Sequence, residues 1–275
     1  MTSPRGRPGR PRRPPPARPA ARPRVRTSWD PIADWYVGWV GEEGSKHHRN
    51  VAIPALLELL DPQPGESVLD LGCGPGVLAP PVAGAGARYT GVDASDKLIR
   101  YAREHHGDVG RFLVGDARHL PQVRGLAPAA FDAVTFLLSL HDMDPLEPVL
   151  SSAAWALKQG GRLVALLTHP CFRVPRQSGW GWDEGRKLRY RRVDRYLTPL
   201  AVPLTEGAER RGAVTRSHHR PLEAYVNGLA AAGLLVDALR EVPTYKTAAT
   251  GERARAENLA NREIPLFLAL RARKA

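Results

Sequence analysis

The residues best suited to chemistry begin with one short run, Asp70-Leu71-Gly72-Cys73-Gly74-Pro75-Gly76, at the end of the apolar stretch Val68-Leu69. Glycines at alternate positions let backbone come close to a ligand where any Cβ would collide. The acid ahead of them repels phosphate. The loop therefore suits a ligand with a positive centre and an ammonium group better than a pyrophosphate. The spacing agrees, because a dinucleotide fingerprint needs a small residue at its third glycine position and Val77 stands there. Asp93, after Tyr89-Thr90-Gly91-Val92, can accept both hydroxyls of a ribose, whichever adenosine ligand carries it. Asp116-Ala117, after Val114-Gly115, can take an adenine ring: the acid accepts from its amino group while the neighbouring N–H meets the ring.

Three further residues are candidates for proton transfer. His141 and Asp142 either orient a nucleophile or form a hydrogen-bonded loop pair. His169, heading His169-Pro170-Cys171-Phe172-Arg173, is either a general base or the residue that shapes a strand exit. His141, His169 and Cys171 lack the spacings of zinc sites, so no metal is expected.

The elements that must position these groups follow from periodicity. Strands are predicted at 67–71, 88–92, 111–115, 131–138 and 162–168. Helical patterns lie between them. In 95–106, Ser95 is the N-cap and Leu98, Ile99 and Ala102 share one face. In 145–158, Asp144 caps, Pro145 takes the first helical position and Gly160-Gly161 stops the helix. Such alternation implies parallel β-α-β units with helices on both faces, and loops at the carboxyl ends of parallel strands converge on one crevice. Residues 29–40, with Trp29, Trp35, Tyr36 and Trp39, read as an aromatic-rich helix or lid ahead of a helix near 51–60. Residues 169–213 show no clear period, as expected of a functional or mobile segment. A helix then starts at Pro221 with Leu222, Tyr225, Val226 and Leu229 inward, Gly233 ends it, and strands near 234–240 and 265–272 follow.

Composition narrows the function. The formal charge of +12 is concentrated in residues 1–27, which hold nine arginines, eight prolines and no acid. Taking those nine from the 40 Lys and Arg leaves only +3 against 28 acids. The tail is expected to be disordered, and the domain from residue 28 to 275 is nearly neutral. Two cysteines build no disulfide framework, which points to a cytoplasmic protein. No apolar run is long enough for a membrane span, and none follows the arginines as a signal peptide would require. The run 186–195 holds six basic residues and one acid beside Trp180, Trp182, Tyr190 and Tyr196. It reads as a strand with a solvated basic face rather than a base-stacking surface.

Together the motifs resemble the class I S-adenosylmethionine (SAM)-dependent methyltransferases of the small-molecule type. The first is Val68 to Gly76; Gly91-Val92-Asp93-Ala94-Ser95 and Gly115-Asp116-Ala117 follow. Phe131-Asp132-Ala133-Val134 then runs into Leu138-Ser139-Leu140-His141-Asp142, and Leu157-Lys158-Gln159-Gly160-Gly161-Arg162-Leu163 is the fifth match. Ser217-His218-His219-Arg220-Pro221-Leu222 with Tyr225 is similar to a later family stretch, and one of the two histidines at most is expected to face the pocket. The resemblance implies a doubly wound, mostly parallel, seven-stranded Rossmann-like sheet with a cap insertion at about 169–213. It implies SAM as cofactor, held by Asp70, Gly72, Cys73, Gly74, Gly76, Asp93, Ala94, Asp116 and Ala117, with backbone near Leu138 beside the sulfonium. His141, Asp142 and His169 become the candidate catalytic residues, and a small-molecule methyl acceptor the expected partner, with no nucleic acid and no membrane.

Methyl transfer needs alignment and exclusion of water more than a dedicated catalytic group. The absence of a decisive catalytic motif is consistent with that. The rival readings are an RNA or protein methyltransferase using the tail and the 186–195 run, and a SAM-fold protein that does not methylate or a Rossmann oxidoreductase.

Overall fold

A computed structural model describes residues 29–204, 215–251 and 253–275. The Arg/Pro-rich tail 1–27, residue 28 and residues 205–213 of the expected cap lie outside the described residues.

The five expected strands are β1 (Ser67–Leu71), β2 (Arg88–Asp93), β3 (Gly110–Val114), β4 (Phe131–Leu137) and β5 (Leu157–Thr168), all parallel. Two antiparallel hairpins follow, β6 (Ser178–Asp183) with β7 (Leu188–Val193) and β8 (Leu200–Pro203) with β9 (Arg216–His219). The sheet is completed by β10 (Leu234–Val242) and β11 (Phe267–Lys274), and its order is β10-β11-β5-β4-β1-β2-β3. β11 runs antiparallel to both of its neighbours. The chain crosses from one half of the sheet to the other between β1 and β4. That switch point opens a crevice at the carboxyl ends of the strands.

The helices are α1 (Ala33–Val40), α2 (Ile53–Leu60), α3 (Ala79–Gly84), α4 (Asp96–His106), α5 (Leu146–Ala156), α6 (Leu222–Ala231) and α7 (Ala254–Glu263). Two apolar cores form because alternate strand residues point to opposite faces. Val68, Ala133, Val164 and Leu166 meet Leu56 and Leu60 of α2, Val82 of α3 and Ile99 of α4. Leu69, Leu71, Val134, Phe136 and Leu163 meet Leu150 and Ala153 of α5 and Leu229 of α6. Ser95 caps α4 by accepting from the Leu98 N–H at 3.2 Å.

Four expectations need correction. Helix α5 ends at Ala156 rather than at Gly160-Gly161, because Leu157 already pairs with Phe131 in the sheet. Pro145 is the N-cap, with φ −69° and ψ 155°, and Asp144 does not cap; its carboxylate accepts from Arg220 at 2.7 Å. Helix α7 was not foreseen, since its buried face consists only of Ala256 and Ala260, too small to give a hydrophobic period. Within the described part of the stretch 169–213, residues 178–193 form the β6–β7 hairpin and β8 pairs with β9. β6, β7 and β8 are at most half-buried, so the alternation that marks a core strand is weak there.

Candidate active site

Successive strand ends place the acids around one cavity of about 300 Å³. Gly72, Gly74, Asp93, Ala94, Asp116, Ala117, Leu138 and Asp142 all line it. Trp29 and Tyr36 from the aromatic N-terminal segment lie over it. The other aromatics of α1, Trp35 and Trp39, stack on each other and are 47% and 56% exposed, so only part of that segment acts as a lid.

The glycine loop does two separate jobs. Gly72 has φ +69°, and a Cβ there would lie 2.7 Å from the Cβ of Ser139. Its bareness lets the β4 exit close onto the loop, where the Ser139 hydroxyl donates to the Leu71 carbonyl at 2.6 Å. Gly76 instead faces the core: a Cβ would lie 2.8 Å from Cε1 of Phe112. Gly76 and Cys73 therefore belong under the loop, not at the cavity wall, against the expectation for both. Cys73 is 5% exposed, and burial pushes its thiol well up.

Asp70 also lies beneath the loop. It accepts from the Tyr89 hydroxyl at 2.7 Å and from Thr135 Oγ1 at 3.0 Å, and is absent from the cavity wall. Burial raises its pKa from 3.8 to about 6, the two hydroxyl bonds opposing that rise. Its contribution to a ligand is thus its charge rather than contact.

Asp93 is 8% exposed and fixes its own surroundings. Its Oδ2 accepts from the Gly74 N–H at 2.9 Å and its Oδ1 from the Ser95 N–H at 2.8 Å. Burial pushes its pKa up, and these backbone bonds pull against it. Each oxygen keeps a further acceptor site for a ribose hydroxyl. Asp116 is already engaged: Arg118 grips it with Nε and Nη2, at 2.7 Å for the closer oxygen. Burial works to raise this acid, but the guanidinium bonds hold it below the ordinary carboxylate range. An adenine amino group would share that carboxylate with Arg118, which also lines the cavity. Nothing in the sequence singled out Arg118, because an arginine two residues past a strand end has no fixed meaning.

At the β4 exit, Leu138 takes φ +56°, and its N–H donates to Leu166 at 2.9 Å. A non-glycine residue in the left-handed region is strained, and such strain collects at functional sites. Next along, Asp142 is buried and one of its carboxylate oxygens has no hydrogen-bond partner among the described residues. Burial raises its pKa, and His141 and Ser217 oppose this. His141 Nε2 stands 3.8 Å from Asp142 Oδ1, close for charge but too far for a hydrogen bond. His141 itself lines a second, smaller cavity next door. Tyr36 rises well above its ordinary value, first through burial and then through Asp142, Asp93 and Asp70.

His169 is placed elsewhere. It is 2% exposed, its Nδ1 accepts from the Cys171 N–H at 3.2 Å, and its Nε2 lies 2.9 Å from Glu241 Oε1. The first bond puts the proton on Nε2, which then donates to Glu241, so no ring nitrogen is left to act as a base. Of the later motif, His218 lines the main cavity together with Arg216 of β9, while His219 is tied to the Tyr196 carbonyl at 2.6 Å. Of the expected cap, Pro170, Arg173 and Pro175 line the smaller cavity rather than the main one. No residue of 169–204 reaches the main cavity wall; β9 does, packed on the turn Leu140–Asp142. The β6–β7 hairpin leans on α7 instead.

Of the six basic residues in 186–195, Arg186, Lys187, Arg192 and Arg195 are exposed, as a solvated face requires, and Arg189 and Arg191 are half-buried. Arg189 and Arg191 lie over the Trp180 ring at 4.2 and 5.3 Å, while Tyr190 and Val193 are exposed. Among the described residues no group of three or more His, Cys, Asp and Glu is disposed to hold a metal, and no helix is long and apolar enough to cross a membrane.

The site fits SAM. The two buried acids at the wall, with Asp70 behind them, favour a cationic ligand and disfavour a pyrophosphate. The bare Gly72-to-Gly74 edge admits its amino-acid end, and Asp93 has ribose acceptors to spare. A family model described as "Methyltransferase domain" matches residues 69–165. The ubiquinone biosynthesis O-methyltransferase of Idiomarina loihiensis is 35% identical over 99 residues, 36% of this chain and 41% of that one. The demethylmenaquinone methyltransferase of Beutenbergia cavernae is 31% identical over 155 residues, 56% of this chain and 59% of that one. The chain spans about half the length of the curated relatives it matches. The crystal structure of an S-adenosylmethionine dependent methyltransferase from Mesorhizobium loti superposes with a TM-score of 0.63 at 28% identity, covering 80% of this chain and 96% of that one.

Proposed function

The chain belongs to the class I SAM-dependent methyltransferase family, and from that premise we propose that it moves the methyl group of SAM to a small-molecule acceptor. The observation that carries this reading is the cavity at the β1–β4 switch, with Asp93 buried and Asp142 nearly so in its wall; among the described residues no Lys or Arg pairs with either, and His141 stands 3.8 Å from Asp142. Bound SAM supplies an electrophilic methyl on a sulfonium and leaves as the neutral thioether. The chain does the rest. Asp93 holds the ribose, Ala117 and the Asp116–Arg118 pair bound the adenine, and Asp70 and Asp142 set a negative potential at the sulfonium. Tyr36 covers the amino-acid end and keeps water out, which strengthens those fields.

Asp142 has the position and the free oxygen to accept a proton from an acceptor hydroxyl, and its raised pKa makes it a better base. The relatives named for ubiquinone biosynthesis and for demethylmenaquinone suggest quinone-type rings as the first acceptors to test. On composition, residues 1–27 form a tail that the catalytic unit does not need. Two free cysteines, Cys73 buried and Cys171 half-buried, support a cytoplasmic setting.

Calorimetric titration with SAM, its demethylated product and NAD tests the reading. We expect micromolar binding of the first two, about 8 kcal/mol, and none of the third. Binding of NAD alone would refute it.

A further inference from the structure

The second cavity, beside His141, differs from the first in charge. It measures about 50 Å³ and is lined by His141, Arg173, His218, His219 and Arg220 with uncharged neighbours; no carboxylate lines it. His218 lines both cavities, so the two adjoin. The sulfonium side is thus acidic and the far side basic.

The basic side is under-neutralised. Arg220 is paired, since its Nη2 donates to Asp144 at 2.7 Å. Arg173 is not. Its Nε donates to the Pro265 carbonyl at 3.3 Å, and among the described residues no carboxylate pairs with it. It lies 5.1 Å from the centre of the Trp180 ring, around which Arg189 and Arg191 also gather. Neither of those two has a carboxylate partner among the described residues. Burial lowers the Arg173 pKa to about 10, and Arg191 and then Arg189 add to the fall. Three guanidinium groups about one ring, with one of them reaching a cavity, are costly without an anion.

Resting on the methyl-transfer reading, we propose that this cavity holds an oxyanion group of the acceptor, so that the substrate is a small organic acid anchored by Arg173 with its nucleophile turned toward Asp142. The volume suits one carboxylate or phosphate group and not a polymer. Trp180 is covered by its arginines and offers no free face for a nucleic-acid base. The domain match ends at residue 165, before every residue of this cavity except His141.

The test uses the full chain saturated with S-adenosylhomocysteine, whose own titration is read first. If that titration fails, the cofactor reading fails, whatever the second cavity does. Three matched probes are then titrated: 4-hydroxybenzoate, 4-hydroxybenzamide and phenyl phosphate. We expect one of the two anions to bind roughly tenfold or more tighter than the amide, with affinity falling as salt rises. The anion that binds tighter identifies the group as carboxylate or phosphate. R173Q should abolish the preference with S-adenosylhomocysteine affinity unchanged, and R173K should keep part of it. R189Q, at a half-buried hairpin position over Trp180, should weaken it about two- to threefold. Binding of both anions no tighter than the amide, or a full preference in R173Q, would overturn the proposal.

Discussion

Replacing Asp70 by Asn should make this protein more stable at neutral pH while impairing its cofactor site. Asp70 is 2% exposed and its pKa is raised from 3.8 to about 6. The folded state therefore holds the proton more tightly than the unfolded state. Its stability is complete below the unfolded value, declines as pH rises through the interval up to about 6, and is reduced by a constant amount above it. The gap corresponds to about 3 kcal/mol. Asn carries no titrating proton. It also accepts one hydroxyl less well, either Tyr89 or Thr135, at a cost of about 1 kcal/mol that does not depend on pH. The stability difference between variant and parent should thus move by about 3 kcal/mol in the variant's favour between about pH 4 and about pH 8. Urea denaturation of both proteins at a series of pH values measures it. SAM should bind the variant more weakly, and S-adenosylhomocysteine nearly as before, since only SAM carries the sulfonium. A stability difference independent of pH would refute the buried charge, and equal losses for both ligands would refute its electrostatic role.

Other outcomes follow from the same geometry. Asp93→Ala should weaken SAM by roughly 1.5–3 kcal/mol, read by calorimetry, because ribose acceptors and the Gly74 anchor go together. Gly72→Ala should lower stability by about 1–3 kcal/mol in thermal melts, from its left-handed φ and the contact with Ser139. Asp142→Asn should cut turnover roughly 10²-fold for a hydroxyl acceptor with cofactor affinity retained, and the parent's rate should rise with pH through a value above the ordinary carboxylate range. His169→Gln should leave turnover unchanged, and a large loss would return that residue to the mechanism.

What the sequence revealed was what periodicity and strand-end chemistry encode. The strands β1 to β4 alternate between two cores, so their hydrophobic pattern is clear, and Asp93 and Asp116 end up at the cavity because strand ends converge. Asp70, Cys73 and Gly76 belong to the same loop, but which way each faces depends on Phe112, Tyr89 and Thr135, all distant in sequence. His169 was ambiguous for the same reason: only its contact with Glu241, 72 residues away, shows that its nitrogens are used. Tyr36 was visible as part of an aromatic-rich helix or lid, though not which of its aromatics would face the cavity, and Arg118 was not visible at all. Of the hairpins only β7, inside the 186–195 run, was legible as a strand; the others lie half-exposed on the surface, where alternation has little to distinguish inside from outside.

The position of β11 also governs how the chain can be made. It lies between β5 and β10, yet it is the last of the described elements in chain order. A ribosome releases residues 157–168 about a hundred residues before the segment 267–274 that covers their edge. Through that interval β5 presents an open row of backbone donors and acceptors beside Leu163, Val164, Ala165, Leu166 and Leu167, all buried in the finished sheet. Such an edge is a template for a neighbouring nascent chain. Loss of the 267–274 segment would therefore yield aggregates rather than a smaller folded domain, and rapid overexpression should place the soluble yield under the control of how soon those residues emerge.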